Sequence, residues 1–240
     1  MIKPRKLLKI ATRLYEYSGA ALLREYSRKT KKNAVFIWIP KTAGVSIYSL
    51  FGSPPNLKKL HLVKNRFANK GIVTFGHMDY SELVKRGYVS RSFDESAVKF
   101  AFFRNPYDRA VSLYEYLKTQ KIMKQKRVIG NESFLSFLRR LKNSGCENIG
   151  LYNVRGFSQC NPQVRWIENT RIDFLGKYES LEKDSKEILD LLELPAARLP
   201  HLNATHHADY RSYYCSESKE IVEEFYEEDF RYVGYETQNL

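Results

Sequence analysis

The chain has 240 residues, of which 43% are hydrophobic and 14% aromatic; that is enough apolar material for one full core and too much for a disordered chain. No apolar run approaches the ~20 residues needed to span a bilayer, and the longest apolar piece near the start, about Ala20 to Leu23, is too short for a signal-peptide core. The net charge is +13, and +8 of it sits in residues 1–32, where ten Lys and Arg face only Glu16 and Glu25.

Met1 to Lys32 reads as a basic amphipathic helix or arm, with Leu7, Ile10, Leu14, Tyr17 and Ala21 on one stripe. Three roles fit this pattern: a helix packed on the domain, a peripheral contact with an anionic membrane surface, or a site that gathers an acidic polysaccharide. Residues 33–240 are expected to form one α/β domain. Val35 to Ile39 is an apolar, β-branched and aromatic run suited to a strand buried on both faces. Pro40 ends it, having no N–H to donate. Lys41, Thr42, Ala43, Gly44, Val45 and Ser46 then form a small-residue turn, and Ile47 to Phe51 begins a helix. Strand, tight turn and helix start aim backbone N–H groups at one point. With Lys41 and the Thr42 and Ser46 hydroxyls available there, that point suits a phosphate or sulfate. An ordinary turn with a solvent lysine would read the same from this stretch alone. A nucleotide-triphosphate loop would instead open on glycine and close on lysine.

Ser53 to Asn56, with two prolines, breaks the helix, and Leu57 to Lys70 is polar, basic and expected at the surface. Gly71 to Phe75 is a second strand, and His77 lies just past its end, where ligands gather in an open parallel sheet. A lone histidine is more often a structural donor than a base. Ser81 to Arg86 forms a short helical turn. Val98 to Phe103 is another buried strand, broken only by Lys99, and Arg104 sits where it stops. Asn105-Pro106 is a strong helix start. Ala110, Val111, Tyr114 and Leu117 then share one face, and Ser112 lies about two turns in. An arginine fork at a strand's carboxyl end is a second anion site. Two anion sites on neighbouring strand ends imply a ligand with two separated anionic groups.

Further on, Lys118 to Arg127 is strongly basic, and Ser133 to Leu141 is an amphipathic helix. Asn143 to Asn161 is irregular and a candidate place for binding an acceptor. Pro162 to Glu168 is a short helix with Trp166 and Ile167 inward. Ile172 to Glu179 is a late strand, and Glu179 either orients a catalytic group or begins the next helix, Ser180 to Leu194, with favourable dipole sign. His201, His206 and His207 match no metal-binding spacing, so no metal is expected. Ser216 to Phe230 is a final acidic helix. Cys146, Cys160 and Cys215 are odd in number and widely spaced, which points to free thiols, a reducing compartment and a cytoplasmic chain.

Pro40 to Ser46 resembles the 5′-phosphosulfate loop of carbohydrate sulfotransferases that use 3′-phosphoadenosine 5′-phosphosulfate (PAPS). Arg104 to Ser112, including the arginine-to-serine spacing, is similar to their 3′-phosphate site. The similarity is closest to the branch of heparan and uronosyl O-sulfotransferases and their bacterial relatives, and it runs loosely from about Ala34 to Glu236. It implies a three-layer P-loop-like α/β domain with a central, mostly parallel sheet flanked by helices. It also implies PAPS as donor, a glycan hydroxyl as acceptor and no metal. Lys41 to Ser46 would hold the 5′ end, with Lys41 also catalytic, and Arg104 and Ser112 the 3′-phosphate. Gly76-His77 is similar to the place where heparan-type members carry a catalytic histidine, so His77 is the expected base. Val45 departs from the pattern, which more often has a small polar residue there.

Two alternatives differ in what they need. A kinase-like P-loop enzyme would require Mg²⁺ and a glycine-opened loop. A protein binding an anionic surface or nucleic acid would work through the basic arm, with steep salt dependence, and nucleic acid is the less expected partner.

Overall fold

Apolar runs with no polar alternation can be satisfied only where both faces of a strand are covered, and the chain answers that demand with a parallel sheet between helical layers. A computed structural model of the chain describes residues 32–50, 66–67, 71–73, 80–85, 89, 91–120, 129–145, 158–199 and 208–237. Among them are five strands: β1 Ala34–Ile37, β2 Arg66–Phe67, β3 Gly71–Val73, β4 Val98–Phe103 and β5 Phe174–Lys177. They lie in the order β2-β3-β1-β4-β5. β3, β1, β4 and β5 run parallel, and β2 pairs antiparallel with β3 at the edge. The register sets Ala34 between Gly71 and Val98, and Phe103 opposite Lys177.

The two-residue alternation of the strands divides the core. Phe36 and Trp38 of the β1 segment and Phe100 and Phe102 of β4 face helices α1 (Gly44–Leu50) and α6 (Leu181–Leu191), meeting Ile47, Ile188 and Leu189. Val35, Ile37, Ala101 and Phe103 face the other way, onto Tyr80 of α2 (Tyr80–Lys85), Phe93 of α3 (Arg91–Ser96) and Trp166. Phe36 and Phe100 stack across the strands with ring centroids 5.1 Å apart. A third cluster joins α4 (Pro106–Thr119) to α5 (Phe134–Ser144), α7 (Ser216–Phe225) and α8 (Glu227–Val233), around Leu113, Phe137, Leu138 and Val222. Lys99, the one charge in the β4 run, is 4% exposed and pairs with Asp94 at 3.2 Å.

Four elements differ from the sequence expectation. The final acidic helix is two helices, broken at Tyr226 (φ −111°, ψ 23°). The Tyr226 hydroxyl reaches inward to donate to the Cys160 carbonyl at 3.0 Å, and Glu227, Glu228 and Asp229 then open a fresh helix with the charge its N-terminus favours. The two-residue β2 lies within the stretch expected only at the surface, and α3 was not anticipated. Pro162 to Glu168 contributes a single 3₁₀ turn, Gln163–Trp166. Cys160 is a buried free thiol and Cys215 an exposed one. Residues 1–31 of the expected arm Met1 to Lys32, the break at 53–56, residues 121–127 of the basic run Lys118 to Arg127, the three late histidines and His77 lie outside the described residues. Among the described residues no helix is long and apolar enough to cross a membrane.

Candidate active site

The strand order dictates where a ligand can enter. From β1 the chain passes through α1 to β3 on one side. From β3 it passes through α2 and α3, on the opposite face, to β4 on the other side of β1. This reversal opens a crevice between the carboxyl ends of β1 and β4, the usual ligand position in an open α/β sheet. Lys41 follows β1 and Arg104 follows β4, so both fall in that crevice.

The turn after β1 is held in an unusual backbone shape. Lys41 (φ 68°) and Ala43 (φ 63°) both take the left-handed conformation, although neither is glycine. Gly44 is required for space: a Cβ there would come within 2.0 Å of Trp38 Nε1. Ala43 accepts the first helical bond, from the Ile47 N–H at 3.1 Å. Thr42 is fully buried and its hydroxyl donates to the Ile39 carbonyl at 3.0 Å. This corrects the expectation of an available hydroxyl, because a strand end needs its last carbonyl satisfied and Thr42 does so. What Thr42 can offer a ligand is its main-chain N–H. Val45 packs on the apolar cluster around Phe36, and Ser46 is buried. The Lys41 ammonium lies 4.5 Å from the centroid of the Tyr116 ring. Burial, and then the charge of Arg104, draw its pKa down to about 8.

Arg104 is held much more firmly. Its Nε and Nη2 donate to the two oxygens of Asp108 at 2.7 and 2.8 Å, a bidentate fork. Nη1 donates to the Lys41 carbonyl at 3.3 Å, which brings the two cation-bearing segments into contact. Its guanidinium carbon lies 4.0 Å from the centroid of the Tyr178 ring. The other guanidinium N–H groups have no partner among the described residues. Behind Arg104, the Asn105 side chain caps α4 by accepting from the Tyr107 N–H at 3.0 Å, and Pro106 takes the first helical position. Glu179 accepts from the Asn105 N–H at 2.6 Å and from the Tyr235 hydroxyl at 2.9 Å. That places Glu179 at the start of α4, supporting the Arg104 segment. Ser112 is buried in α4.

Sequence reasoning passed over three buried polar residues. Arg109, 1% exposed, donates through Nε to the Pro40 carbonyl at 3.1 Å and through Nη2 to the Gln159 and Asn161 carbonyls at 3.0 Å each. Its Nη1 lies 4.0 Å from Asp229. Asp229 accepts from the Val164 N–H at 3.0 Å and from Gln163 Nε2 at 3.2 Å, and desolvation raises its pKa despite Arg109. Gln163 accepts from the Arg104 N–H and donates to the Arg104 carbonyl, both at 2.9 Å. Arg109 was legible as a second arginine in the Arg104 motif. Nothing marked Gln163, and Asp229 read as one more acid on the final acidic helix.

A groove of about 520 Å³ opens beside Lys99, at the amino ends of β4 and β5, lined in part by Tyr80, Asp94 and Arg171. In it Asp94 is paired with Tyr80 and Lys99, and Arg171 with Asp173. Among the described residues, no three His, Cys, Asp or Glu side chains gather as a metal site would require.

Two comparisons bear on this crevice. The sequence model of the Sulfotransferase family matches residues 24–236, a span that contains both strand ends. An uncharacterized protein of Archaeoglobus fulgidus is 26% identical over 126 residues, which is 52% of this chain and 92% of that protein.

Proposed function

The chain belongs to the sulfotransferase family, and from that premise we propose that it transfers a sulfuryl group from PAPS to a hydroxyl of a glycan, in the manner of the heparan and uronosyl O-sulfotransferase branch. The convergence of Lys41 and Arg104 carries this reading. Two cations meet at adjacent strand ends, one with its proton loosened by burial and by the other's charge, and among the described residues only Arg104 has a carboxylate of its own. A ligand with two anionic ends relieves that repulsion and uses the guanidinium N–H groups that Asp108 and Lys41 leave over.

When bound, PAPS supplies a sulfuryl group already activated by its link to phosphate. Lys41 and the main-chain N–H groups of Thr42, Ala43, Gly44, Val45 and Ser46 hold the 5′ end. Lys41 keeps a positive charge where negative charge grows as the sulfur–oxygen bond breaks, the kind of fixed stabilisation that is worth most in a desolvated site. Arg104 and Ser112 hold the 3′-phosphate. His77 takes the proton from the acceptor hydroxyl, for which it must be neutral, so activity falls below about pH 6. The cations supply the charge stabilisation that a metal ion gives in phosphoryl transfer.

The test is transfer of labelled sulfate from PAPS to a panel of glycans, with His77→Ala and Lys41→Ala beside the wild-type chain. Wild-type transfer to a glycan, reduced about 10²–10⁴-fold in kcat by His77→Ala, is the expected result. Sulfation of small phenols or amines but of no glycan contradicts the acceptor assignment. Near-normal turnover by His77→Ala removes the base assignment.

A further inference from the structure

Buried ionic groups are expensive, and a well-packed apolar replacement is often at least as stable. Stability alone therefore gives little reason for Arg109, Gln163 and Asp229 to meet inside the core, where they are 1%, 0% and 0% exposed. Their partners supply the reason. Arg109 holds the Pro40 carbonyl, the group immediately before the left-handed Lys41. Gln163 holds both the N–H and the carbonyl of Arg104. Arg104 lies past the last paired residue of β4, so no strand satisfies those groups, and the Gln163 amide stands in for a one-residue strand. Asp229 joins the two, contacting Arg109 and accepting from Gln163. With Pro40, whose carbonyl Arg109 holds, the three residues join four segments: the stretch after β1, α4, the turn at 163–166 and α8.

We propose that Arg109, Asp229 and Gln163 form a positioning network that fixes the separation between the Lys41 turn and the Arg104 strand end, so that one nucleotide can bridge them with its 5′ and 3′ anionic groups. The inference rests on the PAPS reading above. None of the three residues touches the ligand; each acts through the backbone of a segment that does. Bridging rewards a fixed spacing, because the second contact gains from the first only where the separation of the two sites matches the span of the ligand. A single phosphate at either end needs no such spacing.

This asymmetry gives a readout that a merely structural role would not move. Titration calorimetry on the full chain measures adenosine 3′,5′-bisphosphate, 5′-AMP and 3′-AMP against wild type and Gln163→Met, which fills the same volume without the amide. The expected result is that both monophosphates bind the variant within about twofold of wild type, while the advantage of the bisphosphate over them shrinks about tenfold. Parallel weakening of all three ligands, or an unchanged advantage, overturns the inference and leaves the PAPS reading standing. A wild-type chain that shows no preference for the bisphosphate overturns the PAPS reading, and the inference with it. Asp229→Asn, which keeps shape and removes the joining charge, gives the same readout should Gln163→Met not fold.

Discussion

The two strand ends that form the crevice are built in opposite ways. At Arg104 the fork is locked by Asp108, one face lies on Tyr178, and the backbone is clamped by Gln163 and Glu179. At Lys41 the backbone is held in a left-handed turn, and among the described residues the ammonium has a Tyr116 ring beside it rather than a carboxylate. A locked, neutralised fork suits steady binding of a group that does not react. A desolvated, unneutralised ammonium suits a place where negative charge grows during the reaction. On the proposed reading, the difference puts ground-state affinity at one end and rate at the other.

Substitutions can break that division. Lys41→Ala is expected to lower kcat about 10²–10³-fold with a smaller change in donor KM. If steady-state kinetics show KM rising and kcat preserved, the turn is only a binding site. Arg104→Ala should do the reverse. Charge-assisted bonds are worth about 1.5–3 kcal/mol each, so donor KM should rise about 10–100-fold while kcat at saturating donor changes little; a pure kcat loss would merge the two roles.

The aromatic supports sharpen the contrast at lower cost. Tyr178→Leu removes a cation–π contact of about 0.5–1 kcal/mol and should raise donor KM about 2–5-fold. Tyr116→Leu should act on kcat and its pH profile, because its ring borders Lys41. Equal effects of the two on KM would argue against distinct ends.

The smallest effect is the pH response of donor-site affinity. A bound anion restores the Lys41 pKa upward from about 8, so binding takes up protons above that pH. Affinity for adenosine 3′,5′-bisphosphate should be complete below about pH 7, fall about twofold near pH 8 and keep falling. Folding stability responds with the opposite sign: the unfolded chain, with an ordinary lysine near 10.5, binds more protons between about pH 8 and 10.5, so stability rises across that window. Calorimetry in two buffers of different ionisation enthalpy reads the proton uptake directly, and no uptake at pH 8.5 in wild type, or the same uptake in Lys41→Ala, would refute the assignment.

What the sequence revealed follows from where each signal resides. β1 and β4 were readable because strands covered on both faces carry uninterrupted apolar runs, and the start of α4 because Asn105 and Pro106 act locally. The crevice was readable because Lys41 and Arg104 stop those same strands. α3 was missed because only Phe93 in Arg91–Ser96 turns inward, which leaves no periodicity. The break at Tyr226 was invisible because apolar spacing continues through it, while the partner of the Tyr226 hydroxyl, Cys160, lies 66 positions away in the sequence. The Thr42 hydroxyl and the Gln163 clamp depend on neighbours: Thr42 on its own strand end, and Gln163 on a residue 59 positions away. No local pattern records a contact of that range.

The most direct test of the account is equilibrium binding of adenosine 3′,5′-bisphosphate, 5′-AMP and 3′-AMP to the wild-type, Lys41→Ala and Arg104→Ala chains. The account predicts that wild type prefers the bisphosphate to either monophosphate, that Arg104→Ala loses 3′-AMP while keeping 5′-AMP, and that Lys41→Ala weakens 5′-AMP only modestly while leaving 3′-AMP unchanged. A wild-type chain that binds 5′-AMP as tightly as the bisphosphate, or two variants that weaken every ligand alike, would contradict it.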